Sequence, residues 1–252
     1  MMKINPSAQI HTDVSIGDGS IIEGDVVVAM GVTIGYNVVI RDGVRIDEGS
    51  VISDNTILGK TPSRAAMSAV THDREALPPL VLGRYVTVGA GCILYRGATL
   101  GDNVFVGDMA SIREDVSIGE FTIVGRGVTI ENKVSIGRKV KLETEAYITA
   151  LSVIEDYCFV APEVTFTNDN FLGRTEERKK YFKGVTLRRG ARVGANATIL
   201  PSIEIGRDAL VAAGSVVTKN VPDRTIAMGS PAKYVRDVPE EQLIENQVFY
   251  DK

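Results

Sequence analysis

Tryptophan is missing from this 252-residue chain, aromatics together make up 6%, and histidine and cysteine occur twice each. A core so poor in rings has to be built from aliphatic side chains. Cys92 and Cys158 are far apart and form no CxxC pair, which argues against a disulfide framework or a zinc site and for two buried, reduced thiols. His11 and His72 are too few for a three-histidine metal shell, so no metal is expected. A formal net charge of −4 gives no basic balance of the kind that nucleic-acid binding needs. No apolar run is long enough to span a bilayer, and the opening "MMKINPSAQI" has no charged head followed by an apolar stretch. These features read as a soluble cytoplasmic protein.

What the chain has in quantity is glycine, 25 residues of it, and a strict rhythm. Aliphatic residues return at every sixth position from Ile10 to Leu58, again from Leu82 to Val160 and Phe166, and again from Leu187 to Val217. Many are followed by glycine, as at Gly35, Gly107 and Gly125, and two positions before them stands a small or β-branched residue such as Val26, Val104 or Val128. A period of six fits neither a 3.6-residue helix nor an indefinitely continued strand. It fits short strands joined by tight corners. The aliphatic residue and its partner two positions back share the inward face, and glycine sits where a Cβ is crowded or φ unusual. Stacked coils then bury one continuous aliphatic column.

Two stretches break the rhythm. Residues 59–81 include "KTPSRAAMSAVTHDREALPPL", and 168–184 belong to "VTFTNDNFLGRTEERKKYF". Long loops inside a repeat domain are natural carriers of function, because the rigid coil positions them. From Arg174 to Arg189 basic residues outnumber acids, an excess suited to phosphates. After Val217 come "TKNVPDRTIAMGSPAK" and "DVPEEQLIENQVFYDK". Asp237 as a cap, Pro239, Glu240 and Glu241 predict a C-terminal helix over 237–252 following a domain of 1–236.

The spacing, with "GSPAK" after the last hexad, resembles the hexapeptide-repeat acyltransferases over about residues 8–235. The resemblance implies an all-β, left-handed parallel β-helix, here of about ten coils with two loop excursions. "PPLVLGRYVTVGAGCILYRGATLGDN", "ASIREDVSIGEFTIVGRGVTIEN", "KLETEAYITA" and "TNDNFLGRTEERKKYFKGVTL" look like the N-acetyltransferases of nucleotide-linked amino sugars, especially the dTDP-3-amino-3,6-dideoxyhexose type. That implies transfer from acetyl-CoA to a sugar amine for surface glycan (lipopolysaccharide) biosynthesis, in a homotrimer with active sites between subunits. Another amine or hydroxyl acceptor, including tetrahydrodipicolinate, a longer acyl group, and a non-catalytic assembly module remain open. The γ-class carbonic anhydrases share this coil, but their three-histidine site cannot be built here.

Acyl transfer to an amine needs a neutral nucleophile, a group to take its proton and donors for the developing oxyanion. Many members of the family use a histidine, yet neither His11 nor His72 lies on a middle coil. Candidate catalytic groups are therefore Glu143 and Glu145 in "KLETEAYITA", and Asn168 and Asp169 where the second excursion leaves the coil. Counting residues per coil puts these close to a common edge. A carboxylate there orients or deprotonates an amine, an Asn amide holds a carbonyl or hydroxyl, and the departing coenzyme A thiolate can itself take the proton. Tyr95, Arg96, Arg174 and Tyr181 are candidate substrate contacts. Ala195, Ala213, Gly214 and Lys219 match, by resemblance, positions that contact coenzyme A.

Overall fold

The computed structural model of the protein describes residues 2–63 and 77–248. Paired strands of mostly two residues stack into three sheets of 11, 10 and 12 strands, here the first, second and third sheets. Successive strands pass from first to second to third sheet and back, so each strand pairs in parallel with one a full turn away. Lys3 lies beside Ile21 and Thr129 beside Tyr147. The result is an all-β parallel solenoid of about 12 turns, slightly more than the repeat count predicts.

The inward residues are those the six-residue period selects. Ile112, Ile130, Ile148 and Phe166 of the first sheet are completely buried, as are Val88, Val106 and Val124 of the third. Each coil hides its apolar pair against the coils above and below, and backbone N–H groups donate to carbonyls one coil on, as Ser111 does to Val128. Both thiols lie in this column. Burial pushes the Cys92 thiol up to about 11 and Cys158 higher still.

Of the two roles offered for the glycine after the aliphatic residue, crowding is the one at work. A Cβ on Gly107 would stand 2.7 Å from the backbone nitrogen of Arg126, and one on Gly125 would stand 2.8 Å from that of Thr144. Left-handed φ falls two residues later instead, at positions such as Asn55, Glu145 and Glu163.

The end of the chain corrects one expectation. No α-helix follows residue 237; Thr225–Gly229 and Ala232–Asp237 form an antiparallel hairpin on the third sheet. Asp237 ends that hairpin and accepts a hydrogen bond from the Tyr234 hydroxyl rather than capping a helix. Two 3₁₀ turns follow, Glu240–Gln242 and Ile244–Asn246. They are kept apart by Leu243, whose backbone is extended and whose side chain is buried against the coil. Among the described residues no helix is long and apolar enough to cross a membrane.

Candidate functional site

The three edges of the solenoid differ chemically. Where the chain turns from second to third sheet, or from third to first, the residue after the aliphatic one is often glycine, as at Gly101, Gly119, Gly107 and Gly125. Where it turns from first to second sheet, the same position holds Tyr95, Arg113, Glu131, Thr149 and Thr167. These residues are one coil apart and form a polar column.

Both excursions leave from this same edge. The first departs after Ile57–Lys60 and rejoins at Val81–Leu82; the second departs after Thr165–Phe166 and rejoins at Thr186–Leu187. Four first-sheet strands lie between the two departures, ending in Tyr95, Ile112, Ile130 and Ile148. At roughly 4.8 Å per strand, the polar column between them is about 24 Å long.

Its upper end is a cleft lined by Glu131, Tyr147, Thr149, Ala150, Asn168, Asp169, Arg178 and Phe182. Glu131 is held from below by Arg113, whose Nη1 is 3.4 Å from its carboxylate. Arg113 is itself gripped by Glu114 through two contacts of 2.9 and 3.2 Å, and the Glu114 side chain is almost wholly buried. The Arg113 guanidinium also lies 5.0 Å from the centre of the Tyr95 ring. Tyr147 projects from the first sheet beside Glu131. Burial first, and the Glu131 carboxylate second, push its phenol above the ordinary tyrosine value.

Asn168 and Asp169 both reach the cleft, but in different capacities. Asp169 accepts hydrogen bonds from the backbone N–H of Phe171 and of Gly173, both at 2.9 Å, and pairs with Arg178 at 2.8 Å. Desolvation pushes its carboxyl up, but those N–H groups and the Arg178 guanidinium outweigh it and hold the group below the usual carboxylate range. Asp169 therefore folds the excursion onto the coil, and its lone pairs are engaged. Arg178 also sits 5.3 Å from the Phe182 ring centre, and Tyr181 stacks on Phe171 with centroids 6.0 Å apart. Arg174 points outward from this loop and is exposed. The basic excess is partly internal: Arg178 serves Asp169, Lys179 serves Glu176, and Arg188 serves Glu155 and Glu204.

Glu143 and Glu145 do not join this cleft. They lie between Lys141–Leu142 of the third sheet and Tyr147–Ile148 of the first, on the third-to-first edge, whereas Asn168 opens the first-to-second edge. Residue counting places them one coil apart but misses that a sheet face separates the two edges. Glu145 stands half-exposed in an ion pair with Arg126 at 2.8 Å. Ala195, Ala213 and Gly214 share the third-to-first edge; Gly214 donates its N–H to the Ala195 carbonyl, and a Cβ there would meet nothing within 4 Å. Lys219 lies just past the last first-sheet strand, Val216–Val217.

Arg96 links the first excursion to the coil, donating to the carbonyl oxygens of Asp42 and Leu77. His11 pairs with Asp13 in the first coils, remote from the cleft, and His72 lies outside the described residues. Glu131, Arg113, Tyr147 and Lys60 went unnoticed in the sequence. The signal that finds them is the loss of glycine at every third hexad.

Residues 97–132 and 184–219 match the family model described as bacterial transferase hexapeptide (six repeats), and residues 79–108 match that of the hexapeptide repeat of succinyl-transferase. Together with solved structures, these matches support the hexapeptide-repeat acyltransferase family. The first match contains Arg113, Glu114 and Glu131. A serine acetyltransferase of Buchnera aphidicola is 36% identical over 90 residues, 36% of this chain and 33% of that protein. A 2,3,4,5-tetrahydropyridine-2,6-dicarboxylate N-acetyltransferase of Staphylococcus aureus is 41% identical over 56 residues, 22% of this chain and 23% of that protein. The chain thus spans a third or less of the length of these two curated relatives.

The fold is shared over a far longer stretch. LpxA from Acinetobacter baumannii superposes with a TM-score of 0.55 at 20% identity, covering 93% of this chain and 71% of that one. A UDP-N-acetylglucosamine acyltransferase from Francisella novicida gives 0.56 at 17%, covering 96% and 70%. Identities this low speak for the solenoid alone.

Proposed function

We propose that the protein is an acyl-CoA-dependent N-acyltransferase, moving an acetyl group to the amine of a nucleotide-linked deoxyamino sugar of the dTDP-3-amino-3,6-dideoxyhexose type. The observation that carries this reading is the cleft in which a carboxylate, Glu131, a phenol, Tyr147, and an amide, Asn168, meet at the exit of the second excursion. Glu131 orients the acceptor ammonium and takes its first proton, which passes on to solvent. The amine lone pair then attacks the thioester carbonyl carbon. The carbon–nitrogen bond forms, the carbon–sulfur bond breaks, and the departing thiolate takes the second proton. Asn168 donates from its amide to a sugar hydroxyl or to the carbonyl oxygen, and Arg113 fixes the Glu131 carboxylate.

The acyl donor fits the other edge of the same sheet. Ala195, Ala213 and Gly214 bring accessible backbone close to a pantetheine arm. Between them and the cleft runs the outward column of Thr129, Tyr147, Thr165 and Thr198. Lys219 is suited to a phosphate of the coenzyme. A homotrimer is in keeping with the apolar side chains that one face exposes, Tyr85, Phe105, Phe121 and Ile123. Relatives named as N-acetyltransferases support the reaction class, and sugar acyltransferases of the same fold support a nucleotide-linked acceptor.

A thiol-release assay with acetyl-CoA against nucleotide-linked amino sugars, free amino sugars, amino acids and tetrahydrodipicolinate tests the reading. Turnover of the nucleotide-linked amines well above the rest is expected; activity confined to a non-nucleotide amine rejects it.

A further inference from the structure

The polar column carries a gradient of charge. At its lower end the Lys60 ammonium sits 5.3 Å from the centre of the Tyr95 ring, and Lys60 pairs in register with Tyr95. Lys60 is half-buried and has no carboxylate partner among the described residues. Arg96, next in the chain, donates its backbone N–H to the Lys60 carbonyl and spends its guanidinium on the carbonyls of Asp42 and Leu77. Among the described residues no carboxylate neutralises it either. One coil up, Arg113 is answered by Glu114 and Glu131. At the cleft itself Arg178 is taken by Asp169, so the free functional groups there are Glu131 and Asn168. The column thus runs from two uncompensated cations to a carboxylate.

We infer that this gradient fixes the direction in which the acceptor lies: its diphosphate at the Lys60–Arg96 level and its amine at Glu131 and Asn168. The inference rests on the nucleotide-linked acceptor proposed above. A half-buried cation with no carboxylate partner favours an anionic ligand, and a phosphate oxygen accepts charge-assisted hydrogen bonds from an ammonium. The Tyr95 ring holds the Lys60 and Arg113 side chains apart, which keeps the phosphate-binding charge from collapsing onto Glu131. From Tyr95 to Glu131 is two strand spacings, roughly 10 Å, a gap that a sugar ring and its phosphate bridge. The reverse orientation sets phosphate against Glu131 and ammonium against Lys60, two repulsive contacts in place of two attractive ones.

The test is calorimetry of dTDP alone binding to the full chain, with steady-state kinetics of the same variants. Lys60→Ala should weaken dTDP binding about tenfold or more, the loss of one charge-assisted contact, while Lys60→Arg retains most of it. Glu131→Gln should leave dTDP binding unchanged while abolishing most turnover. The KM for the nucleotide-linked amine should rise with Lys60→Ala and that for acetyl-CoA stay constant. If dTDP binds and Lys60→Ala leaves its affinity within twofold, or if the KM that rises is that of acetyl-CoA, the orientation is wrong though the acceptor class stands. A wild-type protein that acetylates amines but binds no dTDP overturns the acceptor class and the orientation with it.

Discussion

Replacing Glu131 by glutamine keeps the shape of the side chain and removes its charge, and the structure says what this should cost. The contact it loses with Arg113 is long, 3.4 Å, while Arg113 keeps both of its shorter contacts to the buried Glu114. Folding stability should therefore fall by less than about 1 kcal/mol, the range for a partly exposed ion pair. Catalysis should suffer far more. A positioned carboxylate that orients an amine and takes its proton contributes about 10²–10⁴-fold, or roughly 3–5 kcal/mol of barrier. The assay is thiol release at saturating acetyl-CoA, read alongside the thermal midpoint of the same preparation. We expect kcat/KM to drop about a hundredfold or more with the midpoint nearly unmoved. Glu145→Gln, which breaks only the exposed pair with Arg126 on the other edge, should stay within about threefold. Glu131→Gln with near-normal kcat/KM, or Glu145→Gln with the larger loss, would refute the placement of the chemistry at this cleft.

Other expectations follow from features remote from the reacting groups. Asp169→Asn puts an amide donor against donors at Gly173 or Arg178, so the 168–184 segment should be cut faster by trypsin at neutral pH and turnover should fall, with the coil's melting unchanged. Because the folded carboxyl lies below its ordinary value of 3.8, its contribution is complete above that value and fades as pH falls further. Protease resistance of the wild-type loop should thus be flat from pH 7 to 5. Gly107→Ala drives a Cβ against the Arg126 nitrogen and should cost about 1–3 kcal/mol in denaturant unfolding; an unchanged midpoint would mean that the coils can separate there at no cost.

The coil was legible in the sequence because burial obeys a period. Ile112, Ile130 and Ile148 have to be aliphatic for the same reason at each turn, and a pattern imposed by packing repeats. The places where it breaks were legible too, since "TNDNFLGRTEERKK" cannot fill an inward position. Which edge a residue occupies was harder to read. Glu145 and Asn168 are close along the chain and by coil count, yet a hexad places a residue on one of three edges according to its rank within the turn. Reading at the six-residue period discards that rank; reading at the eighteen-residue coil separation restores it and lines up Tyr95, Arg113, Glu131, Thr149 and Thr167. The end of the chain failed for another reason. Asp237, Pro239, Glu240 and Glu241 are sound local signals for a helix, but burying Leu243 against the last coils outweighed them.

The departure of both excursions from one edge has a bearing on how such a protein can change. The span between them is counted in whole coils, so it cannot be stretched smoothly. Deleting or duplicating eighteen residues moves one loop toward or away from the other by one strand spacing, about 4.8 Å. The other two edges keep their order, and the aliphatic column closes up again. Acceptor length in this architecture is a digital quantity, set by how many turns are wound between two loops.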